Sequence, residues 1–275
     1  MVVERYTEKG ICEIRDGDFV EFLGKVLRVM KSNGFTIAIL SDGNGSIKVV
    51  SRYDIQEGEI LRVRGRAYTR RNNVQIRVDS INRDISHMEA DFINKRIERR
   101  RKSTNSFIFA EMKVLEEDIK RAVEFINGIK GRVLIKYHGD ADGLSGALIF
   151  YRLFQSLGIE AEFRQSDTAV YLPEEALKDM IYYEGYYLML LDFANNPESQ
   201  RALDIIKRAV KGILIIDHHK STRKKGEEIV VTPVWRGLDG KYTAGYICYE
   251  IARRVMDIDY DRLHEISLFG DRSPL

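Results

Sequence analysis

The stretch VLIKYHGDADGLSG, residues 133–146, joins an apolar segment to a polar loop and then to a second apolar segment. VLIKY is typical of a buried strand, and GLSGALIFYRLFQSLG, residues 143–158, is typical of a helix. The loop between them holds His138, Asp140 and Asp142. In open sheets of parallel strands, ligands bind beyond the carboxyl ends of the strands. These three side chains are therefore the first candidates for a functional site.

The same alternation of strand and helix continues downstream of this stretch. EAEFRQS, YYLMLLD and ILIID have the composition of strands, and PEEALKDMIY and PESQRALDIIKRAVKG, which lie between them, have helical patterns. Apolar strands that alternate with amphipathic helices predict a parallel sheet covered on both faces. We therefore expect an α/β domain over residues 131–275.

The N-terminal part of the chain has a different pattern. Its strand-like segments are separated by turn signals such as Asp-Gly-Asn-Gly, and they read DFVEFLGKVLRVM, GFTIAIL, SIKVVSR, EILRVRGRAYTR and NVQIRVDSI. They predict a five-stranded OB-type β-barrel within residues 1–83, a fold that commonly binds single-stranded nucleic acid.

Residues 84–130 contain two helical patterns and predict a basic helical linker between the two domains. The run INKRIERRRK, residues 93–102, has Glu98 as its only acidic side chain. Such a run either follows phosphates or forms a solvated helix that separates domains, and both interpretations stay open. Its cationic side chains are Lys95, Arg96, Arg99, Arg100, Arg101 and Lys102.

The composition limits the class of protein. The formal net charge of the 275-residue chain is +2, so any preference for nucleic acid must come from local patches. Two distant cysteines, Cys12 and Cys248, argue against a disulfide framework or a structural zinc site. No apolar run approaches the roughly 20 residues of a membrane span. We expect a soluble cytoplasmic protein without a membrane partner.

Further polar side chains follow the other predicted strands. Asp192 ends YYLMLLD, and Asp217, His218 and His219 follow ILII. Asp271 follows an apolar helix in LFGDRS. Because parallel strands end at one edge of the sheet, we expect a single cluster. Its members would be His138, Asp140, Asp142, Asp192, His218 and Asp271.

Such a cluster needs cations, because several carboxylates cannot stay ionised together in a cleft without them. Carboxylate and imidazole ligands suit Mn²⁺ or Mg²⁺, and a shared carboxylate between two ions suits phosphoryl chemistry. Each aspartate alone is more simply explained as a helix cap or loop residue, and a histidine pair alone as a core or surface feature. Their joint occurrence favours the metal interpretation.

Four short motifs carry a family resemblance. HGDADG at 138–143, LLD at 190–192, DHH at 217–219 and GD at 270–271 resemble the motifs of the DHH phosphoesterase superfamily. KYTAGYICYE, residues 241–250, is similar to the helix start found between the last two motifs. With the OB-type barrel, the chain resembles a RecJ-like single-strand nuclease of the archaeal type.

The resemblance implies a phosphodiesterase with two Mn²⁺ (or Mg²⁺) ions. Its metal ligands would be His138 and Asp140 for one ion, Asp142, His218 and Asp271 for the other, and Asp192 as the bridge between both.

The resemblance also implies roles for residues beside the ions. His219 would face the scissile phosphate, and Asp217 would orient a ligand histidine. Thr243 and Gly245 would shape the phosphate end of the cleft. The chain stops at Leu275, whereas family members usually continue into a C-terminal domain. We expect either a fragment or a lineage without that domain, which leaves substrate affinity and end preference open.

The fourth barrel segment offers a nucleic-acid face. Arg62, Arg64 and Arg66 alternate in EILRVRGRAY and should share a face with Tyr68, while Leu61 and Val63 point to the core. We expect Phe35 in the core, and Tyr53 could stack on bases. The alternative is a solvated strand face. The candidate nucleic-acid-binding residues are Arg62, Arg64, Arg66, Tyr68, Arg70, Arg71 and Arg77.

These features together predict a Mn²⁺-dependent phosphodiesterase that hydrolyses single-stranded DNA or RNA, resembling the RecJ exonuclease, with replication or repair proteins as further partners. One alternative is a phosphatase or phosphodiesterase of the nanoRNase or pAp type, which acts on very short oligonucleotides or nucleotides. A barrel would be superfluous for a mononucleotide substrate, which counts against this alternative. Another is a non-catalytic DHH module in a replication or repair assembly, whose hallmark would be missing metal ligands.

Overall fold

The computed structural model describes residues 6–32, 34–70, 73–223, 226–256, 260 and 262–275. The chain divides into two units. One contains the residues up to Ser106 together with Gln155–Leu157, and the other contains Phe107–Phe154 and Gly158–Leu275. Within the described ranges, no helix is long and apolar enough to cross a membrane.

The first unit is built around a closed five-stranded barrel. The strands pair in the order β2-β3-β4-β6-β5, and β5 pairs again with β2, which closes the barrel. The short β1 runs parallel to β2 and is an addition that the sequence pattern did not predict. The predicted OB-type barrel is therefore confirmed. Its strands are β1 (Thr7–Glu8), β2 (Phe19–Ser32), β3 (Phe35–Ser41), β4 (Ser46–Ser51), β5 (Ile60–Arg70) and β6 (Asn73–Asn82).

The barrel core consists of alternate residues of its strands. Leu61 and Val63 on β5 are fully buried, whereas Arg64 and Arg66 are exposed, as the period of two predicts. Phe35 was wrongly expected in the core. It begins β3 beside the β2–β3 turn, its side chain is exposed, and the Arg52 guanidinium lies 5.7 Å from its ring centre.

Helices follow the barrel, as predicted. Helix α1 (His87–Asn105) begins with a capping box, in which the Ser86 hydroxyl accepts the Glu89 N–H and Glu89 accepts the Ser86 N–H. A 3₁₀ helix (Ala110–Leu115) leads into α2 (Glu116–Asn127). In the basic run, the side chains of residues 100–102 lie outside the described part. Lys95 forms an i,i+4 ion pair with Asp91, which is typical of a solvated helix face.

The second unit contains a five-stranded sheet in which every pair of neighbours is parallel, in the order β11-β10-β9-β7-β8. This confirms the predicted parallel-sheet α/β domain. Its elements are β7 (Val133–His138), α3 (Ala141–Leu157), β8 (Ala161–Ser166), α4 (Pro173–Tyr182), β9 (Tyr187–Leu191), α5 (Gln200–Ile206), β10 (Gly212–Ile216), β11 (Ile229–Val231), α6 (Ala244–Val255) and α7 (Leu263–Gly270).

The parallel arrangement places the polar loops together. The central strands are buried along most of their length, and most of their polar side chains lie at or just after the strand ends. His138 is the last residue of β7, Asp192 follows β9 directly, and Asp217 follows β10 directly. All three therefore lie at the carboxyl edge of the sheet.

Candidate metal centre

The predicted cluster forms at the carboxyl edge of the sheet. Three groups of side chains each offer ligand atoms within 4.8 Å of one another, and Asp192 belongs to two of these groups. All six ligands expected from the sequence are members. The groups are His138 with Asp140 and Asp192, Asp142 with His218 and Asp271, and Asp192 with His218 and His219.

Asp192 is the most unusual residue of the cluster. Its side chain is completely buried, its backbone has a left-handed φ of 65°, and neither carboxylate oxygen has a hydrogen-bond partner among the described residues. Ring nitrogens of His138 and His218 lie 3.4 Å away, close enough for an ion pair although no hydrogen bond forms. Buried carboxylates are normally paired or coordinate a metal. Buried carboxylate oxygens that accept no hydrogen bond therefore fit a divalent cation.

Asp140 organises the loop that opens α3. One carboxylate oxygen accepts the Gly143 N–H at 2.9 Å, which is a helix N-cap contact, and the other lies 2.7 Å from Nδ1 of His138. A Cβ on Gly143 would lie 2.3 Å from the carbonyl oxygen of His138, so only glycine fits this tight turn. The capping and ligand interpretations of Asp140 are thus compatible.

Asp142 is held by the N-terminus of α6. Its carboxylate accepts the backbone N–H groups of Ala244 at 2.8 Å and Gly245 at 2.7 Å, and the Ser267 hydroxyl donates to it at 2.5 Å. The Thr243 hydroxyl bonds Ser267 and accepts the N–H of the first turn of α6. A Cβ on Gly245 would lie 2.9 Å from Asp142. In this structure Thr243 and Gly245 thus support the site of Asp142.

The two histidines of the DHH motif have different partners. Nδ1 of His218 donates to the Gly240 carbonyl at 2.6 Å, which leaves Nε2 facing the carboxylates of the cluster. Nε2 of His218 lies 3.2 Å from Asp271 and itself has no hydrogen-bond partner in the described part of the chain. Asp217 accepts from Nδ1 of His219 at 2.8 Å. Asp217 thus orients His219, and a backbone carbonyl orients His218.

Burial and charge shift the pKa values of the cluster. Burial first, and then the Asp192 charge, raise the pKa of Asp142 to about 7. Burial also opposes ionisation of Asp192, but contacts with His138 and His218 lower its pKa below the usual range. Two buried carboxylates that repel each other create a strong demand for positive charge.

The histidines supply that charge in the metal-free protein. Contact with Asp192 raises the pKa of His138 to about 9. Burial disfavours the charged form of His218, but Asp192 and Asp142 outweigh it and raise the pKa to about 10. Contact with Asp217 raises the pKa of His219. A cation that bound here would displace protons from the ligand rings.

The arginine row of the barrel divides into two parts. Arg62 pairs with Glu8 at 3.2 Å, with Glu21 at 3.7 Å and with Glu89. Arg64 pairs with Glu21 at 2.6 Å. Both guanidinium groups are therefore neutralised by acidic neighbours.

Arg66 and Arg77 differ from the first two arginines. Neither forms an ion pair with a described carboxylate, and their guanidinium groups lie over the rings of Phe19 and Tyr68 at 5.3 and 5.7 Å. Together with Tyr68 they line a cavity of about 390 Å³. Arg70 is exposed at the end of β5, and Arg71 lies outside the described residues.

Residues 132–267 match the family model described as "DHH family, N-terminal domain". This part of the chain is a DHH-family domain. A structure described as exonuclease RecJ bound to manganese aligns with a TM-score of 0.50 and 17% identity, covering 57% of this chain and 44% of that one. A DHH domain from a protein described as belonging to a family of ribosomal proteins aligns with a TM-score of 0.52 and 22% identity, covering 69% and 52%.

The second OB-fold domain of replication protein A from Methanococcus maripaludis aligns with a TM-score of 0.26 and 18% identity, over 29% of this chain and 97% of that one. A comparison with curated proteins found no match. The chain covers 44% of the RecJ structure and 52% of the DHH-domain structure, so it spans about half the length of each.

Two contacts of the DHH domain were not predicted from the sequence: the Ser267 hydroxyl with Asp142 and the Gly240 carbonyl with His218. Ser267 lies on α7, four residues before Asp271, and this i,i+4 spacing could have indicated that both face the same site. The Gly240 carbonyl that orients His218 gives no side-chain signal at all. Both contacts act on the group formed by Asp142, His218 and Asp271.

Proposed function

We propose that this chain is a divalent-metal-dependent phosphodiesterase that hydrolyses single-stranded nucleic acid. The observation that carries the proposal is the buried carboxylate of Asp192, which accepts no hydrogen bond from the described residues and is shared by two groups of ligand side chains. In proteins, such a group is expected to meet a cation.

The proposed ligands divide between two ions, with Mn²⁺ as the first candidate and Mg²⁺ as the second. Oxygen and imidazole donors suit these cations. The RecJ exonuclease of similar fold is described as bound to manganese, which makes Mn²⁺ the ion to test first. One ion would take His138 and Asp140, the other would take Asp142, His218 and Asp271, and Asp192 would contact both.

Divalent cations at these positions would supply positive charge to the oxygens of a phosphodiester and would acidify water. The surrounding side chains have their own roles. Asp217 engages Nδ1 of His219, so Nε2 is the ring atom left to donate a hydrogen bond to a phosphate oxygen. The His219 side chain is half exposed, which lets it meet a substrate.

The barrel supports the choice of a polymeric substrate. Arg66 and Arg77 beside Tyr68 combine positive charge with an aromatic face, which is the combination that binds single strands. We propose these residues, with Arg70 and Arg71, as the strand-binding part of the row. Arg62 and Arg64 have a smaller role because acidic neighbours already pair with them. Residues 1–83 would thus bind the strand, 131–275 would cleave it, and 84–130 would link the two.

The test uses 5′- and 3′-labelled single strands of DNA and RNA with Mn²⁺. Intact protein is compared with Asp192→Asn, which keeps the shape and removes the charge. Asp204→Asn, at an exposed aspartate that pairs with Lys207, is the matched control. We expect mononucleotide release by the intact protein and the control, and a loss of at least about a hundredfold in Asp192→Asn.

Other outcomes would contradict the proposal. Equal cleavage by Asp192→Asn would exclude the role of Asp192. Cleavage of dinucleotides without cleavage of longer strands would exclude the polymeric substrate and favour a phosphodiesterase of very short oligonucleotides. Strand binding without any cleavage would favour a non-catalytic module.

A further inference from the structure

Strand β8 forms one edge of the sheet in the second unit. Among the described strands it pairs with β7 alone. The carbonyls of Glu160 and Ser166 accept hydrogen bonds from the β7 side. Because backbone direction alternates along a strand, Ala161, Phe163 and Gln165 direct their N–H and C=O groups away from β7. Such a row of outward groups is a template for another strand.

The charges of β8 are arranged symmetrically around its centre. Glu162 precedes Phe163 and Arg164 follows it. Within one copy the two side chains form a weak ion pair at 3.5 Å, but both remain substantially exposed, at 41% and 61%. If a second copy of β8 paired antiparallel about a two-fold axis through Phe163, Glu162 of each copy would oppose Arg164 of the other. Two antiparallel copies of β8 are therefore complementary to each other in charge.

The hydrogen-bonding pattern fits the same register. Phe163 would oppose Phe163 of the second copy as a hydrogen-bonded pair, which uses the outward groups of that residue. Glu162 and Arg164 would fall in the non-hydrogen-bonded positions, where opposing side chains are closest. The backbone pattern and the charge pattern thus select one alignment.

The helix on one face of β8 adds an exposed apolar stripe. Leu144, Leu148 and Tyr151 on α3 are spaced to lie on one side of the helix, and each is at least 37% exposed. The Tyr151 ring lies 5.8 Å from the ring of Phe163. The stripe therefore begins beside the centre of the edge strand.

The helix on the other face ends in exposed apolar side chains. Tyr183, directly after α4, accepts from Arg164 at 3.1 Å and donates to Glu162 at 3.4 Å, which places this helix end on their side of the sheet. The neighbouring Ile181 and Tyr182 are 73% and 74% exposed. Large apolar side chains in such positions on both sides of an edge strand are characteristic of an interaction surface.

We propose that two copies of this chain associate through antiparallel pairing of β8, which forms a continuous ten-stranded sheet. Charged side chains on an edge strand normally prevent pairing with other strands. Here Glu162 and Arg164 disfavour pairing with unrelated strands but allow pairing with a second copy, because a two-fold axis brings each charged side chain opposite one of the other sign. The occupant is therefore another copy of this chain. This inference is independent of the proposed function.

Charge reversal tests the register. Sedimentation of the full chain over a range of concentrations gives the association constant. We expect Glu162→Arg and Arg164→Glu each to weaken association roughly tenfold or more, because the two-fold axis makes each like-charge contact occur twice in the dimer. The double variant, in which the two residues are exchanged, restores association. An equimolar mixture of the two single variants forms a heterodimer, since each then supplies the charge that the other lacks.

Cross-linking tests the axis. Phe163→Cys in a Cys12→Ser background should oxidise to a covalent dimer, because opposing residues on the axis are close enough for a disulfide. Lys207→Cys in the same background, at an exposed position just after α5, is the control and should form no covalent dimer. A protein that sediments as a monomer at every concentration overturns the proposal. So does a dimer that neither charge reversal weakens.

Discussion

The carboxyl edge of the parallel sheet and the arginine row of the barrel are both rows of charged side chains, but the fold treats them differently. On the barrel, Arg62 and Arg64 meet Glu8, Glu21 and Glu89 and are neutralised within the unit. At the sheet edge, Asp142 and Asp192 are both buried, and the cationic side chains that oppose them among the described residues are histidines.

The difference shows what distinguishes a site from a solvated surface. Charges that find complementary neighbours leave little demand for a ligand. Like charges that the fold forces together under burial leave an unbalanced field, which a bound ion relieves. The sheet edge is of the second kind, whereas the barrel row is mostly of the first, with Arg66 and Arg77 as its exceptions.

The largest expected effect is on stability at the sheet edge. Mn²⁺ at about a hundred times its dissociation constant adds about 2.7 kcal/mol to the stability of the unit that binds it, which corresponds to a rise of roughly 5–10 °C in its unfolding midpoint. Differential scanning calorimetry with Mn²⁺ and with EDTA measures this shift. Asp192→Asn should abolish the shift and Asp204→Asn should keep it. An equal shift in both variants would contradict the ligand role of Asp192.

The second effect is the pH dependence of metal binding. His138 and His218 have raised pKa values of about 9 and about 10, so both rings are doubly protonated and positively charged at neutral pH in the metal-free protein. Metal binding must displace these protons, so the apparent affinity for Mn²⁺ rises as the pH rises toward about 9, by tenfold per pH unit for each proton displaced. Calorimetry in buffers of different ionisation enthalpy counts the protons.

A histidine outside the cluster provides the control for this prediction. His264 stacks on Tyr249, and burial lowers its pKa. His264→Gln should leave the number of released protons unchanged, whereas His138→Gln should lower it. Metal binding without proton release would show that the rings are not ligands.

The third effect concerns the support of Asp142. Ser267→Ala removes the hydroxyl that donates to this carboxylate, and we expect Mn²⁺ affinity to fall about tenfold. Ser267→Thr, which keeps a hydroxyl, should recover part of the loss. Ser145→Ala is the matched control, because that buried hydroxyl donates to the Ala141 carbonyl. Equal effects of the two alanine variants would reduce Ser267 to a packing role.

The smallest effect separates the two parts of the barrel row. Arg66→Ala and Arg77→Ala should each weaken binding of single-stranded DNA severalfold and lower the slope of log affinity against log salt by about 0.7. Arg64→Ala should change both quantities much less, because Glu21 already pairs with that side chain. Fluorescence anisotropy at several salt concentrations measures this. If Arg64→Ala had the larger effect, the division of the row would be wrong.

Sequence reasoning succeeded where pattern and packing agree. The helix PEEALKDMIY has the same bounds in the structure, Pro173–Tyr182, because proline starts it and its apolar face is regular. The cluster could be predicted because parallel strands must end at one edge. The arginines of β5 alternate as predicted. The partners of Arg62, Glu8 and Glu89, are distant from it in sequence, so the sequence pattern could not predict that its charge is neutralised.

Other features depend on contacts that no local pattern carries. Strand β11 has only three residues and is defined by its pairing with β10. The predicted helix 197–212 is an α-helix only over Gln200–Ile206, after a short 3₁₀ turn. The partner of His218 is a backbone carbonyl in a loop, and Phe35 is exposed because it begins a strand beside a turn. Each is decided by tertiary position.

The most direct test of the metal centre is the number and coupling of bound Mn²⁺ ions. Two ions that share the Asp192 carboxylate would lie about 3.5–4 Å apart and would be magnetically coupled. Electron paramagnetic resonance during Mn²⁺ titration should show a coupled pair in the intact protein and in Asp204→Asn, and no coupling in Asp192→Asn. A single uncoupled ion in the intact protein, or an unchanged coupled pair in Asp192→Asn, would contradict the bridging role of Asp192.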